Sequence, residues 1–232
     1  MNTFLMILFI TLCVGSAAAF IYLRITHVGL HGFWGKLVAS ALFVIGGFAA
    51  LMMKTVASTY MYFILLGLFF GMIGDALLEL KLIYRPHDRQ YTNAGILSFS
   101  LGHVCYIIAI SLFADATKDI LVPVFVSLAI GAVLASIIIV NSGNLGVRFG
   151  VHKIPAYCYT FILCITAVYA VALAILIPKL WIVAIGLIFF LISDLILSLI
   201  YWGGRNTNVM NIVNLSTYYV AQILIMIFLF LA

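Results

Sequence analysis

The sequence predicts an all-α membrane protein of eight transmembrane helices. Of its 232 residues, 67% are hydrophobic and 7% are charged, and the mean hydropathy is +1.33. Soluble domains do not carry that balance. The apolar residues fall into eight runs, each near the roughly 20 residues that a helix needs to cross hydrocarbon. No connection is long enough to fold separately, so residues 1–232 read as a single transmembrane domain.

The first run, residues 2–23, passes from Phe4–Val14 into Gly15-Ser16-Ala17-Ala18-Ala19. That ending resembles a secretory leader, yet no basic residues precede it, and it is read as a span. The second run is 34–53, with Lys36 near its start. The third, 61–80, carries Gly67, Gly71 and Asp75 at four-residue steps, a smooth acidic face open to a neighbouring helix, with Glu79 one turn further. The fourth, 92–113, places Phe99, His103 and Tyr106 on one stripe. After the fifth, 120–140, the sixth (154–177) contributes Tyr157 and Thr160, and the seventh (180–201) contains Asp194. The eighth, 212–231, offers Asn214, Tyr218 and Gln222 at four-residue steps. Polar clusters and Gly/Pro signals end the runs.

Basic residues set the expected orientation, because cytoplasmic loops carry their excess. The odd connections hold Arg24, Lys36, Lys81, Arg85, Arg89, Arg148, Lys153 and Arg205; the even ones hold Lys54, Lys118 and Lys179. Both termini are therefore expected on the non-cytoplasmic side. The formal charge of +5 then reflects topology and contact with anionic membrane lipids. Nucleic-acid binding does not account for it.

Gly67-Leu-Phe-Phe-Gly-Met-Ile-Gly-Asp75 and Gly186-Leu-Ile-Phe-Phe-Leu-Ile-Ser-Asp194 share a pattern at an offset of 119 (194 minus 75). The same offset carries runs 1–4 onto runs 5–8, and His103 onto Gln222. The expectation is two parallel four-helix repeats, about 1–119 and 120–232, with any shared site between them. Chance likeness among apolar segments is the competing explanation.

Of six acidic residues, Asp88, Asp115 and Asp119 are expected in loops, leaving Asp75, Glu79 and Asp194 inside spans. A charge at the centre of a span costs roughly 3 kcal/mol on insertion scales. Asp75 and Asp194 are each the fifteenth residue of their run, at equal depth, roughly 7 Å from the cytoplasmic helix ends. They form the candidate catalytic pair. His103, Tyr106, Tyr157, Thr160, Asn214, Tyr218 and Gln222 are expected around them. Plainer roles exist for several: His103 and Gln222 suit interhelical hydrogen bonds, Tyr218 and Tyr219 an interfacial belt, and Glu79 snorkelling to the headgroups. Cys13, Cys105, Cys158 and Cys164 lack paired spacing and read as packing residues.

Gly71-Met-Ile-Gly-Asp75-Ala-Leu-Leu, Gly95 to Tyr106 with Gly102-His103, Ser193-Asp194 and Tyr218-Tyr219-Val-Ala-Gln222, in that order, resemble the YhhN-like lysoplasmalogenases over nearly the whole chain. Where the family shows Lys-Pro at the second span, Lys36 is followed by Leu37. The resemblance implies hydrolysis of the vinyl ether bond of a lysoplasmalogen within the bilayer, giving a fatty aldehyde and a glycerophospho-ethanolamine or -choline. Such a bond opens by protonation of its outer alkene carbon and addition of water to the resulting oxocarbenium ion, which calls for an acid and a base. Two neighbouring carboxyls in a low-dielectric site share a proton and supply both, with the two roles left unassigned. His103, Tyr106, Tyr157, Tyr218, Gln222, Glu79 and Lys36 would bind substrate or orient the pair. Arg24, Lys36, Arg148, His152 or Lys153 would meet the headgroup phosphate, although orientation explains these cations equally. The scheme needs no cofactor, and no cluster at ligand spacing demands a metal.

A proton-coupled transporter would also place acids at a repeat interface. An intramembrane aspartyl protease also uses two aspartates, but Gly71-Met-Ile-Gly-Asp75 has one residue too many for Gly-x-Gly-Asp, and Pro-Ala-Leu is absent. Compactness and short loops favour a bacterial cytoplasmic membrane over an endoplasmic reticulum.

Overall fold

The computed structural model describes residues 2–26, 30–115 and 120–232. Among them, eight helices are long and apolar enough to cross a membrane. These are α1 (Asn2–Thr26), α2 (Leu30–Met52), α3 (Thr59–Ile83), α4 (Asp88–Asp115), α5 (Leu121–Ser142), α6 (Lys153–Leu176), α7 (Trp181–Trp202) and α8 (Asn208–Leu231). One-turn 3-10 segments, Arg85–His87, Gly150–His152 and Pro178–Leu180, lead into α4, α6 and α7. In hydrocarbon no water satisfies backbone groups, and the helix closes them internally.

Most helices outrun their apolar segments, with consequences for the charged residues. Asp88 and Asp115, expected in loops, open and close α4. Lys118 and Asp119 lie outside the described residues. Lys36, counted above among connecting residues, is buried in the second turn of α2.

Around α8 stand α1, α2, α3 and α7, while α4 joins α3 to α6 and α6 touches α5 and α7. Buried residues run along α8 from Asn214 to Phe230. By contrast α5 packs against α6 and turns Phe125, Ile130, Val133 and Val140 outward, a face suited to lipid. Because lipid tails are as apolar as leucine, close packing and polar contacts hold such helices together. Small residues make that packing possible between α3 and α4. A methyl group on Gly102 would lie 3.1 Å from the Gly67 carbonyl oxygen, and one on Gly67 would lie 2.2 Å from the Tyr106 ring. The two backbones approach closely, and Tyr106 fills the groove that Gly67 leaves.

Candidate functional site

Asp75 is buried on the α3 face that α2 and α8 cover. Its Oδ1 lies 3.1 Å from Lys36 Nζ, and its Oδ2 accepts hydrogen bonds from Ser40 Oγ (2.5 Å) and the Tyr218 hydroxyl (2.6 Å). Lys36 also faces Glu79 Oε1 at 3.8 Å, and Arg24 Nη1 donates to Glu79 Oε2 at 2.8 Å. Glu79 is therefore a buried ion-pair partner that does not reach for the headgroups. Two carboxylates meeting two cations offset the penalty of burying charge, which either sign alone would leave uncompensated.

A line of hydrogen bonds leaves Asp75 in the other direction. Gln222 Nε2 donates to the Tyr218 hydroxyl at 3.0 Å, and the Tyr106 hydroxyl donates to Gln222 Oε1 at 3.4 Å. Gly71 makes room for it: a methyl group there would lie 2.8 Å from Gln222 Nε2. From Arg24 to Tyr106 the row is continuous and draws on α1, α2, α3, α4 and α8.

Asp194 has different surroundings. It lines a partly open cavity of about 390 Å³ between α4, α5, α6 and α7, whose walls are overwhelmingly aliphatic and aromatic. The Tyr159 hydroxyl donates to its Oδ2. Among the described residues no basic side chain lies within ion-pair distance of it. Next to it, Asn214 Nδ2 donates to the Ser193 carbonyl oxygen (2.7 Å) and Ser193 Oγ (3.0 Å), fixing α7 against α8.

The carboxyls are within electrostatic range of one another, but they do not share the cavity. Asp75 is not part of its wall. Phe99, which is, packs with Phe190 and Tyr218 at centroid separations of 5.9 and 6.3 Å, and Phe190 meets Tyr218 at 5.4 Å. These rings stand beside the Asp75 bonds on the cavity side.

His103 occupies the gap between the two networks. Its ring lies 5.8 Å from Tyr106, 6.0 Å from Tyr159 and 4.7 Å from Phe190. It is 1% exposed, and neither ring nitrogen has a hydrogen-bond partner among the described residues. A buried imidazole in that condition has room in its bonding for water or a bound molecule.

The structure thus brings Asp75, Lys36, Glu79, Tyr218, Gln222 and Tyr106 into one row, and sets His103 between it and Asp194. It does not bring Tyr157 there: that ring packs against Phe149 (5.6 Å) under the Lys153 ammonium. Residues two apart on a helix point about 200° apart, and Tyr159 takes the place expected of Tyr157. Arg148 and Lys153 are exposed, while His152 Nδ1 is bonded to Asn93 Oδ1 (2.8 Å). Ser40 and Tyr159 were not singled out in the sequence, although a signal for them exists. Each precedes its aspartate by 35 residues, and they are themselves 119 apart (159 minus 40), the offset that relates Asp75 to Asp194. Among the described residues no group of three or more His, Cys, Asp or Glu side chains is placed to hold a metal ion.

Eight helices long and apolar enough to cross a membrane, packed around a buried charge row and an acid-bearing apolar cavity, mark the chain as an integral membrane protein. The YhhN family model matches residues 36–228. The chain belongs to that family. No curated protein and no solved structure matches it.

Proposed function

We propose that the protein hydrolyses the vinyl ether bond of a lysoplasmalogen, releasing a fatty aldehyde and a glycerophospho-ethanolamine or -choline, and that Asp194 supplies the proton. The observation that carries this reading is the place of Asp194, one carboxyl in an apolar cavity of about 390 Å³, large enough for much of a single lipid chain. A carboxyl with no cation beside it is the proton donor. Asp75, paired with Lys36, is the ionised member.

With the alkenyl chain in the cavity, Tyr159 holds Oδ2 and leaves Oδ1 to carry the proton. That proton passes to the outer alkene carbon, whose π pair forms the new C–H bond and leaves an oxocarbenium ion at the carbon bonded to oxygen. Water adds to this carbon while the Asp194 carboxylate takes its proton. The hemiacetal then collapses, with the proton delivered to the departing glycerol oxygen and the hydroxyl proton returned to the carboxylate, so Asp194 ends as it began. The negative charge of Asp75 favours the cation electrostatically. The row from Tyr218 through Gln222 and Tyr106 to His103 fixes the walls around the reacting carbon.

Supporting the two-repeat expectation, α2 against α8 has its counterpart in α6 against α4, and α1 against α2 in α5 against α6. With Lys36 removed from the count, seven cations against three still favour non-cytoplasmic termini. A bacterial cytoplasmic membrane remains the proposed location.

One second reading has its own support: the unbroken row of ion pairs and hydrogen bonds from Arg24 to Tyr106 also suits a proton-coupled transporter of a lipid-like solute. Purified protein given a lysoplasmalogen and, separately, the saturated ether analogue decides between them. Aldehyde from the vinyl ether alone is expected; solute flux in proteoliposomes without aldehyde would favour the transporter.

A further inference from the structure

A second cavity, of about 690 Å³, opens where α1, α3 and α7 end and α4 and α8 begin. Its lining is unlike the first. Arg24, Lys81 and Arg85 bring three cations to it, Asp88 one carboxylate, and Asn206, Asn208 and Asn211 three amides. The two cavities have Tyr201 as a common wall. Lys81 Nζ lies 3.2 Å from the centre of that ring, a cation–π contact that sets a positive charge at the partition.

We propose that this basin binds the zwitterionic phosphate headgroup of a single-chain lipid whose tail occupies the apolar cavity. The inference rests on the lipid-substrate reading above and adds to it the headgroup site. Arg24 is held by Glu79 and Lys81 lies 4.0 Å from Asp88, whereas Arg85 is exposed and has no ion-pair partner among the described residues. Arg85 is thus the cation free to meet a phosphate, which its planar fork of donors fits. Asp88, with a side chain 54% exposed, faces the same space and complements the headgroup's ammonium. A purely anionic ligand would gain nothing from it.

The spacing fits the same occupant. Tyr201 follows Asp194 by seven residues, two turns, or about 10 Å along α7. From phosphorus to the outer alkene carbon of a lysoplasmalogen there are seven bonds, and an extended chain advancing about 3.5 Å per three bonds covers about 8 Å. A phosphate level with Tyr201 therefore brings the alkene to within about 2 Å (10 minus 8) of the level of Asp194 along α7.

Binding to purified protein tests this without any turnover. The probes are a saturated alkyl-ether lysophosphoethanolamine, the corresponding alkyl lysophosphatidic acid, and the alkylglycerol that lacks phosphate. The wild type is expected to bind the phosphoethanolamine probe about tenfold more tightly than the alkylglycerol, and Arg85→Gln to erase most of that difference. Asp88→Asn is expected to remove the preference for phosphoethanolamine over lysophosphatidic acid. Equal binding of the phosphorylated and unphosphorylated probes, or an Arg85→Gln variant that discriminates as the wild type does, would overturn the headgroup site. Displacement by glycerophosphoethanolamine supports a lipid source; displacement by inorganic phosphate alone identifies a free-anion site and overturns it. Because the probes contain no vinyl ether, headgroup preference without aldehyde release would sink the proposed reaction and leave this site standing.

Discussion

Replacing Lys36 with methionine would strand Asp75 and shift all compensation of Glu79 onto Arg24, while both carboxylates stay buried. Losing one partner of a buried pair costs about 3–5 kcal/mol. Lys36→Met is therefore expected to lower the thermal midpoint in detergent sharply, and adding Asp75→Asn to recover part of the loss; equal midpoints for Lys36→Met and the wild type would count against the ion pair. Tyr159→Phe removes the hydroxyl that holds Asp194 and is expected to reduce kcat about tenfold with little change in KM, read from initial rates of aldehyde release. Asp75, Asp194, Tyr218 and Gln222 were legible in the sequence because polar groups in apolar runs are few. Lys36, also expected to bind substrate or orient the pair, was counted among the topogenic charges because a cation at the start of a run resembles one, and only the tertiary contact with α3 shows what it neutralises. Tyr159 was passed over for Tyr157 because helical phase alone does not say which side of α6 faces α7.

Between helices, the α3 face illustrates how much an element depends on absent atoms. A methyl group at Gly67 would lie 2.2 Å from the Tyr106 ring, whereas one at Gly15 in α1 meets nothing within 4 Å. Gly67→Ala is expected to destabilise the protein by about 1–3 kcal/mol through overpacking, and Gly15→Ala to leave it unchanged or slightly more stable through helix propensity; paired thermal unfolding curves check both. The smooth face was visible from the four-residue steps, but its occupant was not, since Tyr106 sits on another helix. The eight helices were legible because hydrocarbon thickness fixes the length of an apolar run. Their ends were less so: α3 runs to Ile83 and α4 starts at Asp88, because a helix continues into the interface where polar residues are tolerated and the apolar criterion is blind.

Taken whole, the molecule joins parts that neither half holds. Asp75 takes one of its hydrogen bonds from Tyr218 of the last helix, and the cavity beside Asp194 has Thr92, Ile96 and Phe99 of α4 in its wall. Fragments 1–119 and 120–232 are each expected to be inactive alone and to regain aldehyde release when produced together; activity from either fragment alone would contradict a site built between them. The two aspartates stood out in the sequence as rare acids inside apolar runs, but nothing there showed that one faces the cavity and the other a lysine. That division of roles is open to one direct measurement: the rate of aldehyde release from a lysoplasmalogen by Asp194→Asn protein whose thermal midpoint matches the wild type. A loss of at least about 100-fold is expected, and turnover near the wild-type rate would contradict Asp194 as the proton donor.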